Sequence, residues 1–152
     1  MNSSPDSYHL FVRPIEPRDA ADVSSLIHEL GYQRTPQSVL DWIAARDSAT
    51  QTAFVACVAD QIVGWIEVCL ERRLQSAPRA LIGGLVVKEG FRGKGIGRML
   101  CERAEAWSWQ HPSVEKVRVT SRSTRDGAHR FYLRDGYQAV KTSLVFEKPR
   151  PA

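Results

Sequence analysis

Leu81-Ile82-Gly83-Gly84-Leu85-Val86-Val87, followed by Arg92-Gly93-Lys94-Gly95-Ile96-Gly97, decides how this chain reads. The first stretch is a strand apolar on both faces. After the second, Ile96, Met99, Leu100, Ala104 and Trp107 recur at helical spacing. Three glycines at alternate positions of the junction let the backbone approach a bound group closely and reach φ > 0. Unpaired N–H groups at a helix start, at the positive end of its dipole, form an anion site. Arg92, Lys94 and Arg98 add side-chain charge. The physical reading is a cradle for a pyrophosphate, held by amides from Gly93 through Arg98, Ile96 among them.

The familiar phosphate loops do not fit. A P-loop places glycine five residues before its Gly-Lys pair and Ser or Thr after the lysine. Here Lys88 stands at the first place and Gly95 at the last. The dinucleotide fingerprint Gly-x-Gly-x-x-Gly ends on Arg98 if begun at Gly93, and on Leu100 if begun at Gly95.

Working outward, residues 125–137 read Arg-Asp-Gly-Ala-His-Arg-Phe-Tyr-Leu-Arg-Asp-Gly-Tyr. Arg92-x-x-Gly95-x-Gly97, followed some thirty residues on by Ala128-x-x-Phe131-Tyr132-x-x-x-Gly136-Tyr137, resembles the GNAT superfamily of N-acetyltransferases. The resemblance runs over residues 80–137. It implies acetyl-CoA as co-substrate, with the loop on its pyrophosphate and Leu85, Val86 and Val87 bonded sheet-fashion to its pantetheine arm. It also implies Tyr132 as the acid that protonates the departing thiolate. A phenol of pKa ~10 meets a thiolate of pKa ~8.5 only with positional help. Two positions depart from the pattern. Arg125 stands where many members have an asparagine on the carrier, and Gly83 stands where many have a glutamate on the central strand. The base must therefore come from elsewhere or from water.

Glu67 is the leading substitute. It shares a strand face with Val63, Trp65 and Cys69, and partial desolvation there would raise its pKa. Glu29 and His28 on the first helix are weaker alternatives, and His129, one turn before Tyr132, could tune it. The acceptor is expected beside the loop Gly31–Thr35, where Tyr32, Trp42 and Glu29 could meet it. Asp41 and Asp47 could also attract a cationic amine, but no acidic cluster is dense enough to name an aminoglycoside or polyamine.

Composition agrees with one soluble domain over residues 8–148, with a disordered tail at 1–7 and a second tail at 149–152. A 152-residue chain can bury roughly two thirds of its unfolded surface. Its 43% hydrophobic and 25% charged residues are ordinary for such a domain. No apolar run approaches ~20 residues and no secretory leader opens the chain, so neither membrane nor export is expected. Cys57, Cys69 and Cys101 fit neither a metal pattern nor a disulfide framework, and read as buried thiols of a cytoplasmic protein. The net charge of +4 partly gathers at Lys88–Arg98. No basic run is interleaved with aromatics, so nucleic acid is not an expected partner.

The element order reads as strands at 9–15, 52–59, 61–72, 79–87, 116–122, 137–140 and 143–147. Helices follow Pro17 to Gly31, Pro36 to Ala44, Gly97 to His111, and a capping box Ser123-x-x-Asp126 to Arg134. This is an α/β mixed sandwich, the GNAT-like acyl-CoA N-acyltransferase fold: a central twisted, mostly antiparallel sheet with helices on both faces. The function expected is transfer of acetyl from acetyl-CoA to a primary amine of a small molecule, by direct attack in a ternary complex and without a metal. Alternatives are a protein or peptide N-acetyltransferase and a non-catalytic acyl-CoA-binding module. A homodimer is possible.

Overall fold

Seven of the eight residues of the strand Gln51–Val58 are buried, the mark of a strand covered on both faces. The computed structural model describes residues 9–121 and 123–152. The expected tail at 1–7 and Arg122, the expected end of a strand, lie outside the described residues. Contacts divide the chain into two compact units, Met1–Val119 and Thr120–Ala152.

In the first unit, β1 (Leu10–Pro14) leads through a 3-10 turn at Pro17–Asp19 to α1 (Ala20–Glu29) and α2 (Pro36–Ala45). Then come β2 (Gln51–Val58), β3 (Gln61–Arg73), β4 (Ser76–Val87), α3 (Ile96–Trp109) and β5 (Val117–Val119). The strands form one sheet in the order β1-β2-β3-β4-β5. Its first three pairings are antiparallel, and β4 pairs β5 in parallel across α3. A parallel pair needs such a crossover. Pro17 takes a first-turn place, and the Thr35 hydroxyl accepts the Ser38 N–H at 3.1 Å, capping α2 as its sequence suggests.

The sheet's two faces carry different loads. Val23, Leu26 and Val39 of α1 and α2 pack with Val55, Cys57, Trp65 and Val86 on one face. On the other, α3 lays down a buried stripe of Ile96, Leu100, Cys101 and Ala104. Gly64 lets the opening turn of α3 settle there. A Cβ at that glycine would lie 3.1 Å from Leu100 Cδ1 and 2.9 Å from the Val86 carbonyl oxygen.

A buried ion pair fixes the entry to α1. Arg13 donates two hydrogen bonds of 2.7 Å to Asp19, whose side chain also accepts the Glu16 N–H at 2.8 Å. Burial alone would raise the Asp19 pKa, but these bonds outweigh it and hold the carboxyl below its ordinary value. The pair stands outside both expected sites.

The second unit holds α4 (Asp126–Arg134). Its cap is Arg125 with no side-chain cap bond, so the capping box expected at Ser123 does not form. Segments 137–140 and 143–147 form no strand. Val140, Leu144, Val145 and Phe146 have the residue types of strands, yet they are exposed. Strand propensity expresses a preference, whereas a ladder needs a neighbour. β5 is likewise confined to three residues. Among the described residues no helix is long and apolar enough to cross a membrane.

Candidate active site

The candidate site begins at one bulge in β4. Glu67 pairs with Gly84 and Val68 with Ile82, which leaves Gly83 as an extra residue. The two glycines serve different ends. A Cβ on Gly84 would meet Trp65 Cη2 at 2.5 Å, so that glycine admits the indole. A Cβ on Gly83 would meet Glu67 Oε2 at 3.2 Å, so the carboxylate of β3 leans over the bulged residue.

The bulge also sets which amides face outward. Upstream, Ala80 donates to the Lys116 carbonyl at 3.0 Å, toward β5. Downstream, Lys88 donates to the Val63 carbonyl at 2.7 Å, toward β3. Alternation therefore turns the amides of Leu85 and Val87 away from β3. The β4–β5 ladder closes at the Ile82–Val119 pair, one residue before the bulge. Leu85 and Val87 thus present main-chain groups beyond the end of that ladder, while Val86 is buried against Trp65 on the α1–α2 face.

Beyond β4, the chain turns with φ of 91° at Gly90, 78° at Gly93 and 82° at Gly95. Gly95 is the cap of α3, in the left-handed region. A Cβ at Gly93 or Gly95 would meet nothing within 4 Å, so backbone conformation, not space, demands glycine there. The first intrahelical bond of α3 is Met99 N–H to the Gly95 carbonyl at 3.1 Å, and the amides of the opening turn precede it. No acidic residue stands in that turn. The donor set and the turn's shape fit a pyrophosphate. Of the cations expected here, Arg92 folds back: its Nε donates to the Val87 carbonyl at 3.0 Å, and its Nη2 lies 3.8 Å from Glu29 Oε2. Lys94 lies over the Phe91 ring at 5.6 Å, and Arg98 pairs with Glu102 at 3.2 Å.

On the α1–α2 face, a cavity of about 370 Å³ opens above the bulge. Glu67, Gly83, Gly84 and Trp65 form its sheet side; Tyr32, Arg34, Ser38 and Trp42 stand on its helical side. Tyr32 is 56% exposed, so it is a wall of this cleft and no part of the core. Glu29, expected to meet the acceptor, is not among the lining residues and faces Arg92 instead. His28 lies 3.1 Å from the Arg34 carbonyl oxygen through Nε2.

Two carboxylates on one face of β3 have opposite environments. Burial pushes the Glu67 pKa up, a side-chain hydrogen bond from Gln51 pulling the other way. Four residues on, the Arg79 hydrogen bond of 2.7 Å draws the Glu71 pKa down, against a smaller opposing effect of burial. Of the two, only Glu67 lines the cavity. Cys69, expected to be buried, is half-buried, whereas Cys57 and Cys101 are buried.

Tyr132 and Arg125 belong to the second unit. Tyr132 is half-buried, edge-on to Phe131 and Tyr137 with ring centroids 5.3 and 5.8 Å apart. Its carbonyl accepts the Tyr137 N–H at 3.0 Å. His129 opens the ladder of α4 through an N–H bond to the Arg125 carbonyl at 3.1 Å. The sequence reading missed Arg34, Ser38 and Gln51. None belongs to a motif: the packing of α1 and α2 over β3 brings Arg34 and Ser38 to the cavity, and the β2–β3 pairing sets Gln51 beside Glu67.

Residues 18–137 match the model of the acetyltransferase (GNAT) family. The chain is 26% identical over 144 residues to aminoglycoside N(6')-acetyltransferase type 1 of Stenotrophomonas maltophilia, covering 91% of this chain and 92% of that one. Aminoglycoside N-acetyltransferase AAC(6')-Iy, solved with CoA, superposes with a TM-score of 0.81 at 14% identity, over 95% of this chain and 97% of that one. A transcriptional regulator from Bacillus halodurans C-125 gives a TM-score of 0.80 at 22% identity, over 92% and 100%. The two structures share the fold, and the family model supplies what fold alone does not: the chain belongs to the acetyltransferase (GNAT) family of acetyl-CoA-dependent N-acetyltransferases.

Proposed function

We propose that the chain acetylates a primary amine of a small molecule, by direct attack on acetyl-CoA in a ternary complex, with Glu67 as the base. The observation that carries this reading is the Glu67 carboxylate, desolvated and leaning over Gly83 at the cavity's sheet side. In many family members a glutamate occupies the position of Gly83. Here the neighbouring strand delivers a carboxylate to the same place.

When bound, acetyl-CoA supplies an activated thioester acyl group. The opening turn of α3, from Gly93 to Arg98, holds its diphosphate through main-chain donors. Leu85 and Val87 bond the carrier's arm along the outward edge of β4, and the Leu85 amide is placed to polarise the thioester carbonyl. The acceptor enters the cavity beside Tyr32 and Trp42. Glu67 takes a proton from the incoming ammonium, directly or through one water, because its raised pKa suits that exchange. Tyr132 is assigned delivery of a proton to the departing thiolate on its motif alone; Arg125, which replaces the motif's asparagine, is assigned a place near the carrier by its position only.

The relatives support a small amine over a protein: the curated one is named for an aminoglycoside, a small amine. The test combines thermal shift with thiol release across an amine panel. Acetyl-CoA is expected to raise Tm, by about 2.7 kcal/mol of stabilisation at a hundredfold excess over Kd, where NAD and ATP do not. Amine-dependent thiol release completes the reading; its absence across the panel contradicts it.

A further inference from the structure

Two of the proteins that this chain resembles are named for aminoglycosides, but the charges lining this cavity do not suit a body with several ammonium groups. We propose that the acceptor is a compact amine carrying one anionic group, a carboxylate or a phosphate, which Arg34 receives while the amine faces Glu67. The inference rests on the acetyl-transfer reading above and concerns the same cavity.

Among the described residues the lining offers one carboxylate, Glu67, and one guanidinium, Arg34. A sugar bearing several ammonium groups needs several carboxylates to replace its water, and the other candidate acids are engaged elsewhere. Glu29 faces Arg92 at 3.8 Å. Asp41 accepts from Gln37 at 2.9 Å and Asp47 accepts the Ala49 N–H at 3.1 Å, and neither lines the cavity. Glu67 itself becomes neutral once it takes the proton.

The cationic side is Arg34, whose side chain is exposed while its backbone is held. The carbonyl of Arg34 accepts from the buried Ser24 hydroxyl, and His28 Nε2 lies 3.1 Å from the same oxygen. Both partners lie on α1, so the backbone that carries the guanidinium is fixed, and the guanidinium makes no ion pair among the described residues. A planar guanidinium suits a two-oxygen anion. Aromatic walls at Tyr32, Trp42 and Trp65 suit an apolar body between the two charged ends.

The test compares kcat/KM for tyrosine, O-phosphoethanolamine, tyramine and kanamycin, in the wild type and in Arg34→Ala and Arg34→Lys. At least one of the two anionic amines is expected to exceed both tyramine and kanamycin. The ratio of that anionic amine to tyramine is expected to drop at least tenfold in Arg34→Ala, through KM, and to recover in part in Arg34→Lys. Which of the two is preferred separates carboxylate from phosphate. Preference for kanamycin, or an Arg34→Ala loss equal for charged and uncharged bodies, overturns the inference and leaves acetyl transfer standing. Thiol release with none of the four amines overturns the underlying reading as well. Circular dichroism of the variants establishes that they are folded.

Discussion

The turn after β4, proposed to hold the carrier, and the cavity over the β4 bulge, proposed to take the acceptor, are made in opposite ways. The turn is contiguous, main-chain chemistry: glycines at 90, 93 and 95 with positive φ, then the opening turn of α3. The cavity is side-chain chemistry gathered from α1, the loop after it, α2, β2, β3 and β4. A binding surface built of amides tolerates few alternatives and serves any chain that must hold the same carrier. A surface built of side chains can be rewired residue by residue, which is how Glu67 comes to fill the place over Gly83.

That difference is best tested by damaging each half alone. The largest effect is expected from Glu67→Gln, which removes the base and keeps the shape. Its kcat should fall at least about a hundredfold, the ordinary scale of general-base catalysis, while acetyl-CoA affinity by calorimetry stays level. If kcat is unchanged, the cavity half of the comparison fails. Moving the carboxylate sharpens it: Glu67→Ala combined with Gly83→Glu should regain about tenfold of what Glu67→Ala loses, measured by thiol release.

Gly95→Val attacks the other half. A branched side chain at φ of 82° costs about 1–2 kcal/mol in the loop proposed to hold the carrier. Acetyl-CoA Kd should rise about tenfold. The variant's pH dependence should match that of the wild type.

The bulge underlies the cavity, and damage there registers in stability. Gly84→Ala drives a methyl into the Trp65 ring, with a cost of about 1–3 kcal/mol expected in denaturant unfolding. The smallest effect is on the pH dependence of stability. Because folding raises the Glu67 pKa, the folded chain bears a cost for the ionised form that the unfolded chain does not. Stability should fall slightly as pH rises from the ordinary carboxylate value through the raised one, and Glu67→Gln should lose that slope and be the more stable variant above it.

The same contrast explains what the sequence made legible. Positive-φ glycines and a helix start are local, so Gly93, Gly95 and the opening of α3 could be read directly from their neighbours. The alternation of β3 placed Glu67 beside Trp65 on one face, yet it could not show that α1 and α2 would cover Glu67 while Arg79 claimed Glu71. Gly83-Gly84 suggested either a bulge or room for Trp65; the structure uses one glycine for each. Arg34 and Gln51 were illegible because their partners lie on other elements. Strands over 137–147 were read from residue type alone, which says nothing about a partner for their ladder.

The most direct measurement is the pH profile of kcat/KM for wild type beside Glu67→Gln, with the preferred amine and saturating acetyl-CoA. The wild type should show an acidic limb with its midpoint above the ordinary carboxylate range, and the variant, slower throughout, should lack it. Superimposable profiles of equal height would contradict the assignment of Glu67 as the base.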